Sequence, residues 1–220
     1  MSHAIITGAN RGIGLELSRQ LADRGWTITA VCRQVSAELQ ALDVQVLDGI
    51  DITETSSLGR LASALEPRST DLLINNAGVL DNISLDNLDP DAIRRQFEVN
   101  ALAPLRITHA LLPALRENAK VALVSSRMGS IADNDTGGSY GYRMSKAALN
   151  AAGKSLAHDL AHRHISVAVL HPGYVRTDMT GNRGLIDTDE AAAGLLARID
   201  ALSLENSGTF WHSNGDVLPW

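Results

Sequence analysis

Two alternating periodicities constrain this chain more than any other feature. Short apolar, largely β-branched runs stand at 4–7, 26–32, 44–47, 71–75, 120–125, 165–170 and 208–212. Between them lie longer segments whose apolar residues recur at helical spacing, as Ile13, Leu17 and Leu21 do before a stop at Gly25. Further helices are predicted at about 55–65, 90–99, 102–117, 141–162 and 188–202. Pro104 suits a first helical turn, whereas Pro113 should kink or shorten its helix. The stretch 127–139, rich in Gly, Asp, Asn and Ser, reads as a loop. Strands this apolar are buried on both faces, as in a parallel sheet between helix layers. Strand–helix alternation then implies right-handed crossovers and one doubly wound α/β domain over 1–220.

Composition narrows the partners. With 220 residues, 45% of them hydrophobic, the chain can bury one substantial core. A net charge of −6 argues against nucleic acid or an anionic membrane as partner. No apolar run approaches the ~18 residues that span a bilayer. Residues 1–3 lead straight into the first strand without a basic leader or cleavage site. Cys32 is the single cysteine, which excludes an internal disulfide and fits a reducing compartment. The expected localisation is cytoplasmic.

Directly after the first strand, Thr7-Gly8-Ala9-Asn10-Arg11-Gly12-Ile13-Gly14 opens a helix. Glycines there permit a tight turn and let a dinucleotide's pyrophosphate approach N–H groups at the helix N-terminus. Turns collect glycine for steric reasons alone, so the placement between first strand and first helix carries the argument. Asn75-Asn76-Ala77-Gly78 follows the fourth strand, Tyr142-Arg143-Met144-Ser145-Lys146 falls on the 141–162 helix, and Pro172-Gly173 follows the sixth strand. In this order the motifs make the chain resemble the short-chain dehydrogenase/reductase family, over nearly its whole length. The stretches SSRMGSIADN and YRMSKAALN and the ending DVLPW are more narrowly similar to C-factor and sniffer-type carbonyl reductases.

The resemblance implies a Rossmann-type fold and a nicotinamide dinucleotide held by Gly8, Asn10, Arg11, Gly12, Ile13 and Gly14. It places the adenine at Asp51 and Ile52, and the ribose at Asn76, Ala77 and Gly78, with Tyr142 and Lys146 also on the cofactor. Pro172, Gly173, Val175 and Thr177 take the nicotinamide end. Asp51 could instead cap the following helix, and Asn75 could serve only the sheet. A carboxylate ending the second strand would accept a ribose 2′-hydroxyl and repel a 2′-phosphate. Here Cys32 stands at that position and Arg33 follows. A guanidinium takes a phosphate in bidentate geometry, so the expected cofactor is NADP(H), with Arg11 as a second cation by the resemblance. A solvated loop arginine is the alternative for Arg33.

Hydride transfer to a carbonyl leaves an alkoxide that must be protonated. A tyrosine with pKa ~10 is a reluctant acid–base at neutral pH, and a fixed cation nearby favours its anion. Tyr142 and Lys146, four residues apart, share one helix face. Tyr140 has Met144 at that spacing and lacks the cation, which leaves it pocket lining or packing. A hydroxyl that holds the substrate oxygen should come from the end of the fifth strand. Ser125 and Ser126 both stand there, the family register selects Ser126, and Ser130 is an outside candidate. Ser126 precedes Tyr142 by sixteen residues (142 − 126), more than in many relatives, and the added loop around 133–138 could reshape the pocket mouth. Asn100 matches the family asparagine that holds a water beside the lysine. It could instead satisfy backbone groups at a helix interruption.

Other signals carry less. His158 and His162 with Asp159 superficially resemble a helical zinc motif with His164 beyond, but no further ligand cluster is evident, and no metal is expected. GxxxxGK does not occur. Ala147, Ala148, Ala151, Ala152 and Gly153 could pack the monomer's core or a homodimer interface. The expected activity is NADPH-dependent reduction of ketones, aldehydes or quinones to alcohols. The alternative is a dinucleotide-binding signalling protein of C-factor type. The substrate segment, about 174–187, is short, which predicts an open site for compact or flat carbonyls.

Overall fold

The structure, a computed structural model, describes residues 2–220; Met1 lies outside it. The elements run β1 (His3–Thr7), α1 (Gly12–Asp23), β2 (Thr27–Val31), α2 (Ala37–Gln40), β3 (Gln45–Leu47), α3 (Thr55–Ser63), β4 (Thr70–Asn75) and α4 (Pro90–Phe97). A π-helical turn, Glu98–Leu102, leads into α5 (Ala103–Leu111), then β5 (Leu115–Val124), α6 (Tyr140–Asp159), β6 (Ser166–His171), α7 (Thr188–Asp200) and β7 (Thr209–His212).

The strands form one parallel sheet of order β3-β2-β1-β4-β5-β6-β7. Alternation along each strand feeds two cores. Ile5, Leu73, Val121, Leu123, Val167 and Val169 meet α3, α5 and α6 through Leu61, Ile107 and Leu149. Their neighbours Ile6, Ile74, Ala122 and Leu170 meet α1 and α7 through Leu17, Leu21 and Leu195. Both faces are therefore apolar, as a parallel sheet requires. Chain direction across the sheet reverses between β1 and β4, so their carboxyl ends open a crevice where an α/β sheet places its ligand.

Several boundaries differ from the sequence expectation. The helix expected over 102–117 stops at Leu111, and β5 begins at Leu115 rather than 120. Pro113 has no N–H to extend the helix. Instead the carbonyls of Pro113 and Ala114 accept bonds from Arg68 and Thr70, which draws the chain into the sheet. The segments 90–99 and 102–117 are not separate helices either, because the π turn joins α4 to α5 without a break. The helix expected over 141–162 ends at Asp159, with one 3-10 turn, Ala161–Arg163, after it. The short α2 was not anticipated; Ser36 caps it by accepting the N–H of Leu39. Among the described residues no helix is long and apolar enough to cross a membrane. Gly153 of α6 serves the monomer's own core, since a Cβ there would stand 2.5 Å from Val169, while Ala151 is exposed.

Candidate active site

The glycine turn is built for close approach. Gly8 (φ +67) and Gly12 (φ +55) adopt backbone that side chains disfavour. A Cβ on Gly14 would stand 2.2 Å from the Gly8 carbonyl and 2.5 Å from the Asn76 amide nitrogen. That amide donates to the carbonyls of Thr7 (3.0 Å) and Gly8 (3.3 Å), while the Thr7 hydroxyl accepts the N–H groups of Asn76 and Ala77. Asn76 and Ala77 are thereby bound to the turn across the β1–β4 crevice. At the start of α1, Arg11 is the N-cap and makes no side-chain cap; the first turn contains no acidic residue. A twelve-residue helix with free N–H donors and no competing carboxylate in its first turn fits an anionic diphosphate.

Arg33 is exposed after β2. Asp51 lies near it, held below the usual carboxylate range chiefly by the Thr53 N–H and more weakly by the Arg33 charge. Asp51 does not cap α3, whose N-cap is Glu54; its carboxylate accepts the N–H and hydroxyl of Thr53. Ile52 is buried beside it. The Arg11 guanidinium is bound to Asp178 at 2.9 Å. Asn75 faces the sheet's helix layer, where its amide donates to the Thr108 hydroxyl.

Ser126, Tyr142 and Lys146 converge at the carboxyl end of β5, all three nearly inaccessible. Ser126 bonds to the Tyr142 phenol and also accepts the Met128 N–H at 3.2 Å. Ser125, one residue earlier, donates instead to Asn150, farther along α6, at 2.5 Å. Ser130 accepts the Asp133 N–H. Lys146 places its ammonium 5.7 Å from the tyrosine ring centroid and donates to the Val124 carbonyl at 2.9 Å. Burial dominates both ionisations: it pushes the phenol above its ordinary value, opposed by the Ser126 bond, and brings the lysine down to about 8. The cation was expected to govern the tyrosine; desolvation outweighs it.

Asn100 is fully buried in the π turn. Its amide oxygen accepts the Val79 N–H (2.8 Å), and its nitrogen donates to the Val79 carbonyl (2.8 Å) and the Ser145 hydroxyl (3.0 Å). Its side chain is thus engaged in satisfying backbone, as the structural alternative proposed. A π turn at a functional site is a recurrent arrangement. Asn100→Ala strands the Val79 groups and should lower stability by about 1–3 kcal/mol, read as an earlier midpoint in urea; an unmoved midpoint would contradict this bracing role.

The residues expected at the nicotinamide end also assemble. Gly173 (φ +94) and Pro172 turn the chain out of β6. Buried Val175 bridges to Ile186, and Thr177 lies against Gly12, its methyl 3.5 Å from where a Cβ would be. The segment 174–187 bonds to itself: Tyr174 accepts from Leu185, and Arg176 pairs with Asp187 at 2.6 Å. Tyr140 opens α6, one-third exposed. His158, His162 and His164 are exposed around the end of α6, and among the described residues no group of three or more metal-ligating side chains forms.

Four residues escaped the sequence reading. Gly129 lets the turn after Ser126 rest on the backbone of Lys146, where a Cβ would be 2.7 Å away; its spacing from Ser126 was the available signal. Ser145 ties Asn100 to the Tyr142 carbonyl. His171 and His212 stack edge to face at 4.8 Å, and burial first, then His212, pushes His171 down to about 3. Nothing local marks that pair.

The chain matches the short chain dehydrogenase family over residues 2–185. It is 44% identical, over 100% of both chains, to 1-hydroxy-2-glutathionyl-2-methyl-3-butene dehydrogenase of Rhodococcus sp. (strain AD45). It is 47% identical to C-signal of Myxococcus xanthus, over 68% of this chain and 92% of that one. Among solved structures it superposes on an NADPH-bound carbonyl reductase from chicken fatty liver with TM-score 0.92. That pair is 30% identical and covers 100% of this chain and 99% of the other.

Proposed function

The chain belongs to the short-chain dehydrogenase family of oxidoreductases, and from that premise we propose that it reduces carbonyl groups to alcohols with NADP(H). The observation that carries this reading is the convergence of Ser126, Tyr142 and Lys146 beside a glycine turn at the β1–β4 switch point.

When bound, the nicotinamide supplies or accepts the hydride. Gly8, Asn10, Gly12, Ile13 and Gly14 hold the diphosphate; Asn76, Ala77, Gly78 and Lys146 face the ribose; Asp51 and Ile52 take the adenine. Pro172, Gly173, Val175 and Thr177 orient the nicotinamide end, and Arg33 with Arg11 receives the 2′-phosphate. Ser126 donates a hydrogen bond to the substrate oxygen. The Tyr142 phenol, protonated at neutral pH because burial holds its pKa up, gives its proton to that oxygen. The Lys146 ammonium then steadies the phenolate until a proton returns. Asn100 acts by placing Val79 and Ser145 next to this pair.

The relative from Rhodococcus is named for a glutathione conjugate with a hydroxyl on its terminal carbon, and we extend the substrate class to primary alcohols and aldehydes carrying a thioether branch. The likeness to C-signal favours a second reading, a dinucleotide-binding signalling protein. A buried ammonium four residues after a buried tyrosine weighs against it, because a sensor gains nothing from a desolvated charge. Incubation with a panel of aldehydes, ketones and ortho-quinones should consume NADPH faster than NADH. Tight NADPH binding without turnover on any of them would favour the signalling reading.

A further inference from the structure

We infer that Asp178 sets how strongly this protein prefers a 2′-phosphorylated dinucleotide, by holding the Arg11 guanidinium that the phosphate would take; the inference rests on the NADP(H) reading above. Arg11 has extended backbone (φ −162°, ψ 171°) where the glycine turn enters α1, and its Nη1 donates to the Asp178 carboxylate at 2.9 Å. The partners are 167 residues apart in sequence.

The carboxylate is rooted. Asp178 begins a 3-10 turn, Asp178–Thr180, closed by reciprocal bonds between Thr177 and Thr180. The Thr180 hydroxyl also donates to the Val175 carbonyl at 2.7 Å. Thr177 packs its methyl against Gly12. The position of Asp178 over the glycine turn is therefore set by backbone bonding and not by the ion pair alone. On the other side, the Ser36 hydroxyl donates to the Asn10 carbonyl at 2.7 Å, which draws the turn toward the loop that carries Arg33. Arg11 thus has an acidic partner on its nicotinamide side and the Arg33 loop on its adenosine side.

Both side chains are about 70% exposed (70% and 69%), so water screens the pair and the arginine can exchange partners. A 2′-phosphate must displace or share the contact with Asp178. NADH carries no such group and leaves the pair alone. Asp178 repels the diphosphate common to both cofactors in equal measure, which cancels in their ratio, and solvent screens its direct repulsion of the 2′-phosphate. What remains in the ratio is the competition for Arg11, and a surface pair of this exposure corresponds to about a three- to fivefold effect.

The test is equilibrium titration of the whole protein with NADPH and with NADH, followed by cofactor fluorescence without substrate. Wild type, Asp178→Asn, Arg11→Ala and the double variant are compared. Asp178→Asn should tighten NADPH about three- to fivefold more than NADH, and in the Arg11→Ala background the same change should shift both cofactors equally. Asp178→Ser serves as a second variant, and thermal melts confirm that each protein is folded. If Arg11→Ala weakens NADPH selectively but the Asp178 variants leave the ratio unchanged or lower it, the competition is refuted while the cofactor reading stands. If Arg11→Ala itself leaves the ratio unchanged, Arg11 does not receive the phosphate and the inference falls; the cofactor reading falls with it only if wild type binds NADPH no more tightly than NADH.

Discussion

Tyr142→Phe should lower turnover about 10²–10⁴-fold while NADPH affinity and melting temperature stay close to those of the wild type. The phenol oxygen is the one group that phenylalanine lacks, and it is the proton donor in the proposed step. Its loss leaves Ser126 still accepting the Met128 N–H, so no buried hydroxyl is left stranded. The ring stays in place between Ser126 and Lys146, so packing changes little. Steady-state rates with the best carbonyl substrate, beside a cofactor titration, separate chemistry from binding. Retained turnover would remove Tyr142 from the mechanism. Equal losses in rate and cofactor affinity would mean that the phenol mainly binds.

Lys146→Met should do two opposite things, abolishing most turnover and stabilising the fold at pH 7. The ammonium is buried and its pKa is lowered from 10.5 to about 8 by desolvation. In the unfolded chain the lysine keeps its proton up to 10.5, whereas in the fold it begins to lose it near 8. Below pH 8 the native state bears the whole cost of that buried charge, a difference of about 2.5 pK units (10.5 − 8), or about 3 kcal/mol. Between 8 and 10.5 the unfolded state binds more protons, so wild-type stability rises with pH across that window. Methionine keeps the apolar stem and carries no charge. It forfeits the bond to the Val124 carbonyl, so the net gain at pH 7 should be about 1–3 kcal/mol. Denaturation midpoints at pH 7 and pH 10 measure it: the variant should lead at pH 7 and lose most of that lead at pH 10. A variant less stable than wild type at pH 7 would show that the ammonium does not burden the fold. The proposed activity thus depends on a charge that destabilises the protein housing it.

Much of the fold was legible because its causes are local. Apolar runs of strand length between helical periods require a parallel sheet with covered faces, and the observed sheet has that form. Boundaries were less legible. Pro113 announced a shortened helix, but only pairing with β4 drew residues 115–119 into β5. The π turn at Glu98–Leu102 changes the hydrogen-bond span without changing residue pattern, so the segment read as an interruption. The choice between Ser125 and Ser126 shows the same limit. Both serines lie just beyond β5 and both reach α6, and only the packing of that helix decides which one meets Tyr142 and which meets Asn150.

What the sequence by itself determined is whatever depends on near neighbours: the glycine turn at the foot of α1, the one-turn spacing of Tyr142 and Lys146, and the family that these motifs mark. Tertiary structure alone decided the properties that depend on residues distant in the chain. Burial, and not the neighbouring cation, governs the Tyr142 phenol, because desolvation is set by everything packed around it. Asn100 grips Val79, and Arg11 meets Asp178, across 21 and 167 residues. No local pattern encodes such contacts, since a side chain's partners across a crevice are fixed by how the sheet and its helices close around it.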